Sequence, residues 1–169
     1  MSSSAHKKVS VTRFDRELIQ GFVRASDSFL SDSLELLTQS GSVLKLPYAE
    51  VKVVCFVRDF ENADAWRGPR GFASRPKTAG LWLRLTFRDG DTTEAILANN
   101  LLQIEEKGFH LIPPDPNFQN QRIFVPRMAV KDAQVLGVIG AKLRKPAARK
   151  PTQEQQEEQL EMFPGEPGG

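Results

Sequence analysis

The chain has 169 residues, 40% of them hydrophobic and 26% charged, with a net charge of +2. That is the balance of a globular protein of one ordinary domain or two very small ones, and so small a net charge leaves overall attraction to nucleic acid weak, so any such contact has to come from local patches. No run approaches the roughly 20 apolar residues that cross a bilayer, and MSSSAHKK leads into no apolar segment of a secretory signal, so no membrane contact is expected. Residues 1–8, polar and serine-rich, read as a disordered start. From Val9 the chain is written in short Val-, Ile-, Leu- and Phe-rich runs punctuated by turn residues, the pattern of an all-β protein. Strands are predicted near 9–15, 18–24, 33–38, 42–47 and 51–58, with a short turn at 26–31. A second set is predicted near 81–88, 92–98, 109–113, 121–126 and 133–139. Gln39-Ser40-Gly41-Ser42 is a hairpin turn, and Arg88-Asp89-Gly90-Asp91 a stronger one, because Asp-Gly supplies the positive φ such turns need. Cys55, alone in an apolar run, reads as a small buried hydrophobe and fits a reducing cytoplasm.

The two sets carry their features in the same order. Val11-Thr12-Arg13-Phe14 corresponds to Leu85-Thr86-Phe87, Gly21-Phe22-Val23 to Ala95-Ile96-Leu97, and Leu34-Glu35-Leu36-Leu37 to Phe109-His110-Leu111-Ile112. Leu46-Pro47, three residues, Val51-Lys52 is echoed by Val125-Pro126, three residues, Val130-Lys131. An insertion rich in proline falls at 113–120, where a long hairpin tip costs little. Four matches in order are read as a duplication: a first unit at 9–60, a connector at 61–79 and a second unit at 80–140. The two units are expected to pack with approximate twofold symmetry, as a monomer that mimics a dimer or as a small oligomer.

Five short, bent strands in each small unit point to a closed barrel, which removes sheet edges. With Phe87-Arg88-Asp89-Gly90 at the first turn and Gly21 or Ala95 where the second strand bends, the order resembles the Sm-like fold. The expected architecture is therefore two tandem five-stranded Sm-like barrels. In detail the phrases F-x-D-G and V-K-x-V-x-F-V-R-D-F resemble a family of uncharacterised bacterial domains, often attached to signalling receivers or PilZ-like domains. That resemblance covers residues 9–140, is structural and implies no activity. The first unit departs from it, with Asp15-Arg16-Glu17 in place of Asp-Gly.

Catalytic chemistry finds no support. His6 lies in the polar start, and His110 alternates with Phe109 and Leu111 as the outward polar residue of a half-buried strand. Asp115 and Asp132 read as solvated, no His, Cys, Asp and Glu cluster has zinc spacing, and no nucleotide-binding loop or nucleophile motif occurs. No enzyme, metal or cofactor is expected. The connector is more informative: Trp66, Arg67, Arg70, Phe72, Arg75 and Lys77 alternate aromatics with cations, and no acid lies between 65 and 82. Guanidinium groups bind phosphates and aromatic faces stack on bases, so this set suits single-stranded nucleic acid or another anionic ligand. The alternative is a solvated linker whose aromatics pack back on the barrels.

Residues 141–169 read as a disordered tail, with a basic block, KLRKPAARK, followed by a Gln/Glu block. Within it Gln159, Leu160, Met162 and Phe163 resemble the peptide by which many bacterial proteins dock on the DNA polymerase sliding clamp, against an inert or self-capping tail. Two functions follow as expectations. One is a noncatalytic bacterial module that contacts nucleic acid through the connector. The other is a protein-interaction or regulatory module linked to signalling, with the tail as a possible docking peptide.

Overall fold

A computed structural model describes residues 6–24, 29, 31–61, 65–99, 104–114 and 120–140. The tail, with Gln159, Leu160, Met162 and Phe163, lies outside the described residues, as do most of the 26–31 turn and the tip of the 113–120 insertion. The strands are β1 (His6–Arg13), β2 (Leu18–Arg24), β3 (Ser33–Thr38), β4 (Val43–Pro47), β5 (Val51–Val57), β6 (Gly80–Phe87), β7 (Thr92–Leu97), β8 (Gly108–Ile112), β9 (Asn120–Pro126) and β10 (Val130–Ile139). Helix among the described residues is limited to short 3-10 turns such as Ala65–Arg67 and Arg127–Ala129. β1 starts ahead of its first apolar residue, because His6, Lys7 and Lys8 extend the ladder to Arg24, Val23 and Phe22 without needing burial.

All ten strands form one antiparallel sheet, in the order β10-β6-β7-β8-β9-β5-β1-β2-β3-β4. Each half has its fifth strand beside its first, followed by the second, third and fourth. The registers agree as well. Val9 faces Gly21 as Leu83 faces Ala95, Phe22 faces Leu37 as Ile96 faces Ile112, and Ser33 faces Pro47 as Gly108 faces Pro126. The ladders β1–β5 and β6–β10 skip a residue at the same place, Lys52 in the first and Lys131 in the second, and β6–β10 skips Leu136 as well. The Val-Lys echo is thus a bulge placed identically in both halves. The three residues before it turn in both: Glu50 N donates to Pro47 O at 2.9 Å, and 127–129 form a 3-10 turn.

The turn from β1 to β2 also repeats that from β6 to β7. Arg16 (φ 70°) stands where Gly90 (φ 88°) stands, and the amide of Glu17 caps Asp15 as that of Asp91 caps Asp89. The departure from Asp-Gly therefore keeps the turn, with arginine in a conformation that glycine adopts more readily. Gly21 allows close approach at the β2 bend, where a Cβ would lie 2.5 Å from the Leu37 carbonyl oxygen.

Two expectations are corrected. Among the described residues the sheet is open, with β4 and β10 as free edges, so closed barrels do not describe the pairing. The reason is that β5 takes β9 as its second neighbour, through Val54–Phe124, Cys55–Ile123 and Phe56–Arg122, instead of returning to its own half. Nor is the junction twofold. A twofold axis would pair β10 with β4 as well, whereas the fifth strand of the first half meets the fourth of the second in a head-to-tail contact.

This junction explains the apolar run VKVVCFV. Val51, Val54 and Phe56 pack with Val9, Val11, Val23, Leu34, Leu36, Leu46, Tyr48 and Phe29 in one core. Val53 and Cys55 point the other way, into a second core with Leu83, Leu85, Phe87, Ala95, Leu111, Ile123 and Val125. The sheet curls far enough for β1–β5 to share one core, and β5 is buried on both faces. Phe124 of β9 crosses into the first core, beside Phe29 and Tyr48.

Candidate functional site

The connector is stitched onto the outer face of β6 and β7, and Glu94 is the knot. Its carboxylate accepts from the Phe72 amide at 3.1 Å, the Trp82 indole at 3.1 Å and the Arg84 guanidinium at 3.3 Å. The Glu94 amide in turn donates to the Arg70 carbonyl at 2.6 Å. The six connector residues consequently separate into two groups. Trp66 is 7% exposed, meets Phe87 edge to face with centroids 5.7 Å apart, and belongs to the second core. It offers no open face for a base. Arg70 lies 4.0 Å over the Trp66 ring and 3.5 Å from Asp91, a structural position for a cation.

The outward group comprises Arg67, Arg75 and Lys77, all exposed, beside half-buried Phe72, which meets Trp82 edge to face at 6.4 Å. Arg75 donates to the Val138 carbonyl at 3.2 Å and so ties the connector to β10. Loop spacing alone could not separate these groups. The acid that pins the connector at Arg70 and Phe72, Glu94, sits on a strand and carried no signal in the sequence.

A second polar cluster lies where the halves meet, and sequence reasoning missed it. His110 points outward from its own half but inward to the other: its ring lies 5.2 Å from Phe29, 5.0 Å from Phe124 and 6.0 Å from Phe56. Its Nε2 is 3.1 Å from Glu105, whereas its buried Nδ1 has no hydrogen-bond partner among the described residues. Burial, helped by Arg122, pushes the His110 pKa down to about 4. Burial raises Glu105, against the pull of Arg122, and burial with the charges of Glu105 and Asp32 pushes Tyr48 up to about 12. Lys107 bridges from this half to Asp32 at 2.7 Å and holds that exposed carboxylate below its usual range.

A pH dependence follows. His110 titrates near 4 when folded and near 6.5 when unfolded, so the unfolded chain binds the extra proton first. Stability should fall by about 3 kcal/mol as pH drops through that window. Raised Glu105 works in the opposite sense, its share being gained as pH falls, so the slope is clearest at the upper end. Urea titrations at stepped pH check this, and His110→Gln should flatten the slope while keeping a donor for Glu105.

The third feature is an ion pair across the junction. Lys52, 8% exposed, reaches from the β5 bulge to Asp89 at 2.6 Å and Asp91 at 2.9 Å, over the Phe87 ring at 5.1 Å. Burial alone would raise Asp89, but Lys52 and the turn amides outweigh it and hold the carboxyl below its usual range. The signal was present in the sequence as a doubled acid pair, Asp15-x-Glu17 and Asp89-x-Asp91. Among the described residues, no three His, Cys, Asp or Glu side chains are grouped to hold a metal ion, and no helix is long and apolar enough to cross a membrane.

No curated protein and no solved structure matches the chain. A family model, described as a family of unknown function (DUF6982), matches residues 5–137. That span takes in both halves and the junction between them, and the chain belongs to this family.

Proposed function

We propose that this protein is a noncatalytic binding module that contacts an anionic polymer, single-stranded nucleic acid, across the connector and the β6 face beneath it. The observation that carries the reading is the outward group: Arg67, Arg75 and Lys77 are exposed on a segment that Glu94 pins to a rigid sheet, with Phe72 and Trp82 between them. A pinned loop presents its cations with little ordering cost, and the aromatic pair offers an edge against which a base can lie. Trp66 and Arg70 support this surface from beneath. The Sm-like reading belongs here too, favoured by the same strand order in both halves; each half is then a curled five-stranded unit that opens only to accept its neighbour. Cytoplasmic placement and linkage to signalling proteins complete the proposal.

The test is fluorescence anisotropy with short single-stranded oligonucleotides at two salt concentrations. Wild-type affinity should fall steeply with salt, and Arg67→Ala/Arg75→Ala/Lys77→Ala should weaken binding by roughly tenfold or more. Because the side chains are exposed, the melting temperature should move little. Salt-insensitive binding, or none, sinks the nucleic-acid reading and leaves the protein-interaction module, with Gln159, Leu160, Met162 and Phe163 as its docking peptide. Titrating the tail peptide against purified clamp examines that reading separately.

A further inference from the structure

We propose that copies of this chain assemble head to tail, the β4 edge of one copy pairing with the β10 edge of the next in the register that β9 and β5 use inside the chain. The contact joining the halves is heterologous: a fourth strand binds a fifth strand. Among the described residues, one fourth strand, β4, and one fifth strand, β10, each leave one edge unpaired, and they are the counterparts of the two that are joined. A contact of this kind repeats from copy to copy until a ring closes or a filament grows.

Two independent observations show that the free edges retain the chemistry of the joined ones. The first is apolar. Val43 is 66% exposed on β4, and Val135 is 56% exposed on β10. Val43 occupies the position of Arg122, and Val135 that of Phe56, by the strand registers of the two halves. Phe56 faces Arg122 across the internal junction, so the same register sets Val135 of one copy opposite Val43 of the next. Two exposed valines on opposite edges of the sheet thereby become a cross-strand pair. An unprotected apolar edge is what proteins avoid unless something pairs with it.

The second observation is charge. Lys52 crosses the internal junction to the acid pair of the next turn, Asp89 and Asp91. Its counterpart Lys131 is exposed at the same bulge of β10. The counterparts of Asp89 and Asp91 are Asp15 and Glu17, in a turn of the same geometry with side chains about half exposed. Repeating the internal relation once brings Lys131 of one copy to Asp15 and Glu17 of the next, where Arg13 and Glu50 already form an ion-pair network. Arg75, bonded to the Val138 carbonyl, covers the far end of the β10 edge, so pairing is confined to the stretch around 131–136.

Sedimentation velocity on the full chain across a concentration series tests this. The wild type should exceed the 18.9 kDa monomer in a concentration-dependent way. Val135→Lys, at a position already exposed, should keep its fold by circular dichroism and weaken association by about tenfold or more. Lys131→Glu should do likewise, and mixing it with Asp15→Lys/Glu17→Lys should restore assembly. In Val43→Cys/Val135→Cys, oxidation should give a ladder of disulfide-linked multimers, with Cys55 buried and out of reach. A wild type that stays monomeric to about 1 mM overturns the proposal. So does association that Val135→Lys and Lys131→Glu both leave unchanged, or a disulfide that forms only within one chain.

Discussion

Phe124→Ala should lower the stability of the whole protein by about 3–5 kcal/mol, a large part of the roughly 5–15 kcal/mol available to an ordinary domain. Phe124 is fully buried, with its ring 4.3 Å from Phe29, 5.0 Å from His110 and 6.0 Å from Tyr48. It belongs by sequence to the second half and by packing to the first, so removing it opens a cavity in a core that its own half does not own. Both halves should therefore weaken together. Urea unfolding followed by tryptophan fluorescence, which reports Trp66 and Trp82 in the connector and second half, should coincide with unfolding followed by circular dichroism. Separation of the two curves in the wild type would mean that the halves fold independently.

Lys52→Met should cost about 2–4 kcal/mol, while Lys131→Met, at the matching bulge, should change the stability of the isolated chain by no more than about 0.5 kcal/mol. The difference lies in surroundings. Lys52 is enclosed by Asp89, Asp91, Phe14 and Phe87, whereas Lys131 is exposed. Removing the ammonium leaves two carboxylates facing each other at a junction they cannot leave, although each remains about one-third exposed and water recovers part of the loss. The sign with pH is set by Asp89, whose folded pKa is depressed. Its contribution is present above the ordinary carboxylate range and is lost as pH falls through the folded value, so the acid limb of the stability profile should be shallower in Lys52→Met. Chemical denaturation at neutral pH and in the carboxylate range measures both effects.

Most of the strand order was legible because the signals were local. Gln39-Ser40-Gly41-Ser42 and Asp89-Gly90 marked two turns, and the spacing from proline to Val-Lys marked the repeat, though not the bulge that the structure shows at that place in each half. How the halves join was not legible in the repeat itself, since identical units can pair by a twofold or head to tail. The difference between the copies held the answer. VKVVCFV is apolar at both parities and lies between two cores, while its echo VKDAQVLGVI carries Asp132 and Gln134 and lies at an edge. Closed barrels followed from treating each unit alone, which left out the neighbour that β5 takes instead. In the connector, composition marked cations and aromatics correctly as a group, but only the sheet beneath separates Trp66, held against Phe87, from Phe72 beside Trp82. His110 misled for a related reason: strand alternation turned it away from its own core, and the first half supplied another.

β5 and β9 join the halves into one cooperative sheet. Native-state hydrogen exchange resolved to single amides tests it most directly, at a concentration where the chain is monomeric. Interstrand amides of Val53–Val57 and Ile123–Val125 should exchange only through global unfolding, with free energies matching that from urea, while amides on the free edges of β4 and β10 exchange far faster. Edge-like exchange at β5 and β9, or two sets of amides with separate unfolding free energies for the two halves, would contradict the account.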